Sequence, residues 1–313
     1  MTYAHTPVMC EEILTQFEPA LSVPDAVMVD ATLGLGGHTK AALERFPGLT
    51  VIGIDRDPQA IEAATKNLGE LAPRLEVHQA NYDQLSVILG ARRVQGVLCD
   101  LGLSSLQIDS LPRGFSYSVD APLSMRMDGD DSQLTAADVV NTYSFEELTR
   151  ILRVYGDERY ASRIARALIA EREREPFTTS GRLVEVISAA IPARDTRSGH
   201  PAKRSFQALR MEVNHERESL KTAIPAALDC LAVNGRMAVL SYHSGEDRLV
   251  KQVFAQACSD KVPPGMPIVP ANYRARFALV VHGAMKPTNQ EMETNPRSHS
   301  ARLRVITRIE EES

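Results

Sequence analysis

A glycine-rich turn and an acidic residue follow the first two predicted strands, and they are the residues best suited to chemistry. The first strand, 26–31, is followed by glycines at 34, 36 and 37, and the second, 51–55, ends at Asp55. Glycines let a ligand approach the backbone closely because they lack a Cβ. A carboxylate at the end of the second strand is typical of a group that binds ribose hydroxyls. The pattern predicts a pocket for a nucleotide-like cofactor.

The residue at position 39 helps to distinguish between two kinds of cofactor. A dinucleotide fingerprint would place a third glycine there, whereas this chain has Thr39. Asp30, at the end of the first predicted strand, suits a cofactor with a charged amino-acid group. The combination is similar to the motifs of class I S-adenosylmethionine methyltransferases. A nicotinamide-dependent enzyme is the alternative that these residues leave open.

Asp100 ends the fourth predicted strand, 95–100. Ligands of open α/β sheets lie beyond the carboxyl ends of the strands, so we expect Asp100 to face the reactive end of the cofactor. A hydrogen-bond acceptor there suits methylation of an exocyclic amine, whose lone pair is delocalised into the base. Carbon methylation of cytosine would need a cysteine nucleophile, but neighbouring strand residues point to opposite faces, which places Cys99 in the core. A capping role is the alternative for Asp100.

Three more polar segments follow predicted strands. Tyr82 could offer an aromatic face to adenine, or it could belong to a plain turn. His243 could order a substrate, or its segment could simply begin a helix with acids in the first turn. Segment 295–300 contains Arg297 and suits RNA phosphates, although a lone basic loop would be unremarkable.

Composition restricts the class of protein. The chain has 313 residues, 43% of them hydrophobic, which is ample for a buried core. No apolar run reaches the ~18 residues of a membrane span, and residues 1–39 contain no Lys or Arg, which argues against a leader peptide. The four cysteines form no CxxC pair, and the acidic segment 125–131 is interpreted as a loop. We therefore expect a cytoplasmic protein with no membrane span and no metal site.

Positive charge is concentrated in two segments. The net charge of the chain is −5, but 194–210 and 270–308 each hold an excess of Arg and Lys. Solvated surfaces would explain either segment alone. Two basic segments flanking a cofactor domain favour a substrate rich in phosphate.

The order of predicted elements indicates two domains. Strands at 26–31, 51–55, 75–79 and 95–100 alternate with helices, as in a parallel sheet. A loop-rich region, 110–135, and a helical region then interrupt this alternation before the sheet resumes. Further predicted helices lie at 145–154, 157–174, 179–190 and 205–232, and further strands lie at 237–240, 277–282 and 301–309, the last two as an antiparallel pair. We predict a seven-stranded, Rossmann-like α/β domain, 1–109 and 206–313, with an inserted helical domain, 110–205, for substrate recognition.

With these motifs taken together, the sequence resembles the bacterial ribosomal RNA small subunit methyltransferase H family of N4-cytosine methyltransferases. The resemblance spans nearly the whole chain in order. Its motifs lie at 5–9, 30–38, 100–109, 113–116, 125–128, 156–160, 203–210, 241–248 and 295–304. Ser124, Gly245 and His299 depart from the residues usual in the family.

The resemblance implies methyl transfer from S-adenosylmethionine to N4 of a cytosine in the decoding (P-site) region of 16S rRNA. The RNA would be recognised free, in the 30S subunit or in a late precursor, by a monomer or a homodimer. Asp100 would be the catalytic residue. The implied cofactor contacts are Gly36, Gly37, His38, Asp55, Tyr82, Asp100 and Gln107. The RNA-binding candidates are Arg113, Lys203, Arg204, His243, Asn295, Arg297 and His299.

Two other classes of function stay open at this point. A non-catalytic ribosome-assembly factor could keep the fold only as an RNA-binding scaffold, although the intact glycine turn, Asp55 and Asp100 disfavour it. A methyltransferase could also act on a small molecule or on another atom of a base. The basic segments and the large insertion disfavour the small molecule.

Overall fold

A computed structural model describes residues 7–104, 107, 113–128, 134–192, 200–260, 270 and 273–310. The chain divides into two compact units. The sheet unit comprises Met1–Gly102 and Glu218–Ser313, and the helical unit comprises Leu103–Arg217. Recognition of a substrate by the helical unit stays a prediction.

Seven strands form one mixed sheet in the order β3-β2-β1-β4-β5-β7-β6. They are β1 Val27–Asp30, β2 Thr50–Asp55, β3 Leu75–Gln79, β4 Val94–Asp100, β5 Leu231–Ser241, β6 Phe277–Leu279 and β7 Arg302–Arg308. The first five run parallel, and β7 is antiparallel to both β5 and β6. The predicted seven-stranded α/β fold and its terminal antiparallel pair are confirmed. β5 begins earlier than predicted, and β6 is shorter.

The described helices lie between these strands and in the helical unit. They are α1 Cys10–Leu21, α2 Gly37–Arg45, α3 Pro58–Leu68, α4 Leu85–Leu89, α5 Ala136–Thr142, α6 Phe145–Val154, α7 Ala161–Arg172, α8 Ser180–Ala190, α9 Lys203–Val213, α10 Glu216–Cys230, α11 Ser244–Ala257 and α12 Asn289–Thr294. Within the described part of the chain, every helix is too short or too polar to span a bilayer.

The sheet unit buries an apolar cluster on each face of its sheet. Strand side chains alternate between faces, so Met28 contributes to one cluster with α1 and α2, and its neighbour Val29 contributes to the other with α10 and α11. A parallel sheet covered on both faces needs strands that are apolar throughout, as the buried run at 51–54 shows. This packing fixes the strand ends that carry the polar residues of the site.

The helical unit has its own core, to which Ile151, Leu168, Phe177 and Leu209 contribute. Two of its helices begin with a capping box, in which an N-cap hydroxyl and an acidic side chain three residues later bond to each other's backbone N–H. Thr135 and Asp138 start α5, and Ser144 and Glu147 start α6. The capping box at Ser144 explains why the helix predicted at 145–154 begins where it was predicted to begin.

The single helix predicted for 205–232 is wrong. The chain forms α9 and α10, separated at His215, which has a left-handed φ of 50°. Asn214 is buried, and its amide donates to the carbonyl oxygens of Met125 and Arg210 and accepts from the backbone N–H of Met127. These tertiary bonds compensate for the interruption of the helix.

The helix predicted at 157–174 begins later, at Ala161. Asp157 has a φ of 48°, and the Glu158 carboxylate accepts from the backbone N–H of Tyr160. Both features belong to a turn. Of the predicted loop 110–135, the described residues include an isolated bridge between Pro122 and Thr179.

Candidate active site

The glycine turn joins β1 to α2 and adopts backbone angles that only glycine accepts easily. Gly34 has a φ of 52° and Gly36 a φ of 75°. A Cβ on Gly37 would lie 2.7 Å from the Cγ atom of Pro7. The turn thus brings the first backbone N–H groups of α2 to the carboxyl edge of the sheet, where the helix dipole favours an anionic group such as a carboxylate.

Asp30 lies beneath this turn and stabilises it. Its side chain is buried; one oxygen accepts from the Thr39 hydroxyl at 2.7 Å, and the other accepts from the Thr32 backbone N–H at 3.3 Å. Burial raises the pKa of Asp30. The structure therefore gives Asp30 and Thr39 a shared role in fixing the turn.

Asp55 ends β2 beside the same turn. Its carboxylate accepts from the backbone N–H of Gly34 at 2.8 Å and from that of Asp57 at 2.9 Å. Burial raises the pKa of Asp55 to about 6, and those two hydrogen bonds oppose the rise. Each carboxylate oxygen keeps a second lone pair, so Asp55 can still accept from ribose hydroxyls.

Asp100 ends β4, next to β1 in the sheet. Its backbone N–H donates to the Thr32 hydroxyl at 2.7 Å, and its Oδ1 accepts from the Tyr242 hydroxyl at 2.8 Å. Its side chain is 26% exposed, so a ligand can reach the carboxylate. Burial raises the pKa of Asp100, and the neighbouring His38 and Tyr242 oppose that rise.

His38, in the first turn of α2, lies against Asp100. Its Nδ1 is 3.6 Å from Oδ2 of Asp100, and its Nε2 is 3.0 Å from the carbonyl oxygen of Val8. The residue is 9% exposed. The structure thus brings together the predicted residues Gly36, Gly37, His38, Asp55 and Asp100 at one edge of the sheet.

Cys99 lies on the opposite face from Asp100, as predicted. It is 1% exposed in the apolar cluster, and burial raises the pKa of its thiol to about 12. A neutral, buried thiol is a poor nucleophile. Nucleophilic attack by Cys99 on a base is therefore excluded by its position.

Tyr82 follows β3 at the start of a short 3₁₀ helix, Tyr82–Gln84, and its half-buried ring packs against the core. The two residues beside it are tied to α10, because the Asn81 amide donates to the Ser219 hydroxyl and that hydroxyl donates to Asp83. This segment is therefore held firmly at the edge of the sheet. A contact of Tyr82 with adenine stays a prediction.

His243 begins α11, in agreement with the helix-start interpretation of its sequence. Its Nδ1 accepts from the backbone N–H of Glu246, whose carboxylate accepts from the backbone N–H groups of Tyr242 and His243. A Cβ on Gly245 would lie 3.2 Å from the His243 ring, so a larger side chain there would crowd the cap. Contact of His243 with RNA stays a prediction.

The basic segment before β7 is a short 3₁₀ helix, Pro296–Ser300, which follows α12. Ser298 is buried and its hydroxyl donates to the carbonyl oxygen of Asn295, whereas His299 is exposed. Arg297 is half-buried. The segment therefore has a fixed backbone, which suits phosphate contacts.

Four of the predicted site residues belong to the helical unit, and their contacts are described within that unit. The Gln107 side chain is buried and accepts from the Ser104 backbone N–H at 3.1 Å. Arg113 donates to the carbonyl oxygen of Met127. Lys203 and Arg204 are exposed in the first turn of α9.

Tyr242 is the main residue of the site that the sequence did not single out. It follows β5, and its position depends on the pairing of β4 with β5, in which Asp100 lies opposite Leu240. The available signal was a tyrosine just beyond the carboxyl end of a neighbouring strand. Among the described residues, no cluster of His, Cys, Asp or Glu is suited to a metal ion.

The site fits the chemical groups of S-adenosylmethionine. Backbone N–H groups at the start of α2 suit its carboxylate, Asp55 suits its ribose hydroxyls, and Asp100 lies at the same edge of the sheet. Gly34, Gly36 and Gly37 place no side chain at those three positions of the turn, which lets such a ligand approach the backbone there.

Comparisons with known proteins agree with this geometry. The sequence profile of the MraW methylase family matches residues 2–309. A ribosomal RNA small subunit methyltransferase H from Thermobifida fusca is 51% identical over 312 residues, covering 98% of this chain and 94% of that protein. A protein of the same name from Cutibacterium acnes is 52% identical over 310 residues, covering 97% of this chain and 92% of that protein. The chain therefore belongs to the MraW methylase family, whose members use S-adenosylmethionine as methyl donor.

Proposed function

We propose that the protein transfers a methyl group from S-adenosylmethionine to N4 of a cytosine in the decoding region of 16S rRNA, within the 30S subunit or a late precursor. The names of its relatives support ribosomal RNA as the substrate. The choice of N4 depends mainly on one observation. The acceptor at the end of β4 is the reachable carboxylate of Asp100, and the adjacent thiol is buried in the core.

Different residues of the site would bind the cofactor and orient the base. Backbone N–H groups at 36–38 and the Asp55 carboxylate would hold the cofactor, which supplies an already activated methyl group. Asp100 would accept a hydrogen bond from the N4 amino group of a cytosine splayed out of the RNA. This bond orients the amine and localises its lone pair for direct transfer. Asp100 would then take the proton that N4 loses.

The direct test is to incubate the protein with labelled S-adenosylmethionine and undermodified 30S subunits. Nuclease digestion and mass analysis then identify the labelled nucleoside. We expect N4-methylcytidine at a single decoding-region position. Label on carbon 5 of the base, or only on a small molecule, would contradict the proposal, and no label despite cofactor binding would favour an assembly factor.

Replacing Asp100 tests the carboxylate itself. Asp100→Ala should lower the turnover rate by about a hundredfold or more, because general-base and orienting groups contribute roughly that much. Calorimetry should show that the variant still binds S-adenosylmethionine, since Asp55 and the glycine turn are unchanged. Asp229→Ala, which removes an exposed carboxylate of α10, is the control for loss of a carboxylate. Unchanged turnover in Asp100→Ala would contradict the role of Asp100.

A further inference from the structure

Side chains from two different elements approach the two oxygens of the Asp100 carboxylate. The Tyr242 hydroxyl, beyond β5, lies 2.8 Å from Oδ1, and Nδ1 of His38, on α2, lies 3.6 Å from Oδ2. The hydrogen bond on one side and the imidazole on the other restrict the rotation of the carboxylate. This arrangement leaves one lone pair on each oxygen for another donor.

The second ring nitrogen of His38 determines where its protons lie. Nε2 is 3.0 Å from the carbonyl oxygen of Val8, and a carbonyl can only accept, so Nε2 carries a hydrogen. In a neutral ring Nδ1 would then present a lone pair to the lone pairs of Asp100. The contact becomes attractive when Nδ1 carries a hydrogen, because that N–H then faces Oδ2 across 3.6 Å. In that form His38 can donate to Asp100.

Tyr242 acts as a second donor, from a rigid support. Burial and the nearby carboxylates of Asp100 and Glu246 raise the pKa of Tyr242, so its hydroxyl keeps its proton. The backbone N–H of Tyr242 donates to Glu246 at 2.9 Å, and Glu246 also forms the capping box of α11 with His243. The start of α11 therefore locates the phenol relative to Asp100.

We propose that His38 and Tyr242 are positioning residues that keep Asp100 ionised and turned so that its free lone pairs accept the N4–H of the base. The inference rests on the proposed function, because it concerns the same acceptor. In the reaction, N4 forms a bond to the methyl carbon, the carbon–sulfur bond breaks with its electrons on sulfur, and N4 loses one proton to Asp100. Asp100 must be ionised at the outset to take that proton.

The groups that face Asp100 set the sign of the expected effect. His38 and Tyr242 favour the carboxylate, whereas burial and the negative charges of Asp30 and Glu246 oppose it. Removal of either donor therefore raises the pKa of Asp100 further. The pH below which the enzyme loses activity should move upward by the same amount.

Tyr242→Phe tests the first donor. Loss of one hydrogen bond to a charged group should lower the single-turnover rate near neutral pH by about tenfold to a hundredfold, and the acidic limb of the pH–rate profile should shift to higher pH. Affinity for S-adenosylmethionine should change by less than about twofold, because Tyr242 is not among the residues predicted to contact the cofactor. The matched control is Tyr143→Phe, which removes a tyrosine–carboxylate bond to Glu212 in the helical unit.

Two substitutions at His38 test the second donor. Asparagine places its amide nitrogen near the position of Nδ1 and keeps a donor to Asp100, whereas glutamine places it near Nε2 and keeps only the donor to Val8. His38→Asn should therefore retain more activity, with a smaller shift of the acidic limb, than His38→Gln. Equal rates and equal pH profiles for the two variants would overturn the role of His38.

The titration of Asp100 can also be followed without catalysis. In protein with ¹³C-labelled aspartate carboxyls, the Asp100 signal is identified by its loss in Asp100→Asn, and Tyr242→Phe should raise its midpoint. An unshifted midpoint with a wild-type rate would overturn the inference even if wild-type protein labels N4 of cytidine. Wild-type label on another atom would instead contradict the proposed function, while the titration would still report on the two donors.

Discussion

At the scale of single residues, the site uses carboxylates whose charge depends on their surroundings. Asp55 has a pKa raised to about 6 by burial, although two backbone N–H groups donate to it. Above that pH it is ionised and accepts from ribose hydroxyls; below it, one of its oxygens is protonated and loses acceptor strength. The cofactor-free protein thus has a titratable group in its cofactor site within an easily tested range.

Cofactor affinity should depend on pH through Asp55. The ionised form prevails above a pH of about 6, so affinity for S-adenosylmethionine should be highest there and should fall as the pH drops through that value. Calorimetry between about pH 5 and pH 8 measures it. Above a pH of about 6, Asp55→Asn should bind more weakly than the wild type, and its pH profile should be flatter. A wild-type affinity independent of pH would show that Asp55 does not hold the cofactor in this way.

The residues of the site differed in how far the sequence revealed them. Asp55 and Asp100 were predicted because each ends a recognisable strand of a parallel sheet. Tyr242 escaped because its contact with Asp100 depends on the lateral pairing of two strands more than a hundred residues apart, which local sequence does not encode. The capping role of His243 was foreseen as the simpler of its two interpretations.

At the scale of elements, the start of α2 depends on Gly36. A side chain there would need a φ of 75° and would bring a Cβ to 3.1 Å from that of Ala64 on α3. Both the backbone angle and the close approach resist substitution. The glycine turn therefore serves the packing of α2 on α3 as well as the ligand.

Gly36→Ala should lower the free energy of unfolding by about 1–3 kcal/mol, from the left-handed backbone and the tight contact together. Gly283→Ala is the control, because Gly283 has a φ of 90° but a Cβ added there would meet no atom within 4 Å. Its free energy of unfolding should fall only by the cost of the backbone conformation. Urea unfolding measures both, and equal losses would show that the contact with Ala64 has no cost.

Elements with local start signals were predictable, and the break between α9 and α10 was not. The capping pair Ser144 and Glu147 marks the start of α6 in the sequence itself. The chain at Asn214 shows no glycine or proline that would end a helix, and its bonds to Met125 and Met127 arise only once the helical unit is folded. Tertiary contacts therefore determine a break that the local sequence does not mark.

At the scale of the whole molecule, a net charge of −5 coexists with local basic surfaces. Lys203 and Arg204 are exposed at the start of α9, and His299 is exposed before β7. Binding to RNA depends on such local surfaces, because each neutralised phosphate releases counterions. The alternation of strands and helices predicted the sheet unit well, since it directly reflects parallel connectivity.

A Lys203→Ala, Arg204→Ala double variant should bind undermodified 30S subunits more weakly. If both cations neutralise phosphates, the slope of log K against log salt should decrease in magnitude by roughly 1.4–1.8. Affinity for S-adenosylmethionine should not change. The control pairs Lys66→Ala with Lys251→Ala, two exposed lysines of the sheet unit. An unchanged slope in the Lys203→Ala, Arg204→Ala variant would show that these two residues do not neutralise RNA phosphates.

The short stretch ahead of α1 has a consequence for anyone who shortens or tags the protein. The carbonyl oxygen of Val8 accepts a hydrogen bond from Nε2 of His38, and the backbone N–H of Met9 donates to Glu291 on α12. Removal of the residues before α1 would leave the His38 ring without its hydrogen-bond acceptor and free to rotate. A protein cut back in this way should still fold around its sheet yet methylate poorly, a defect easily mistaken for damage to the cofactor pocket.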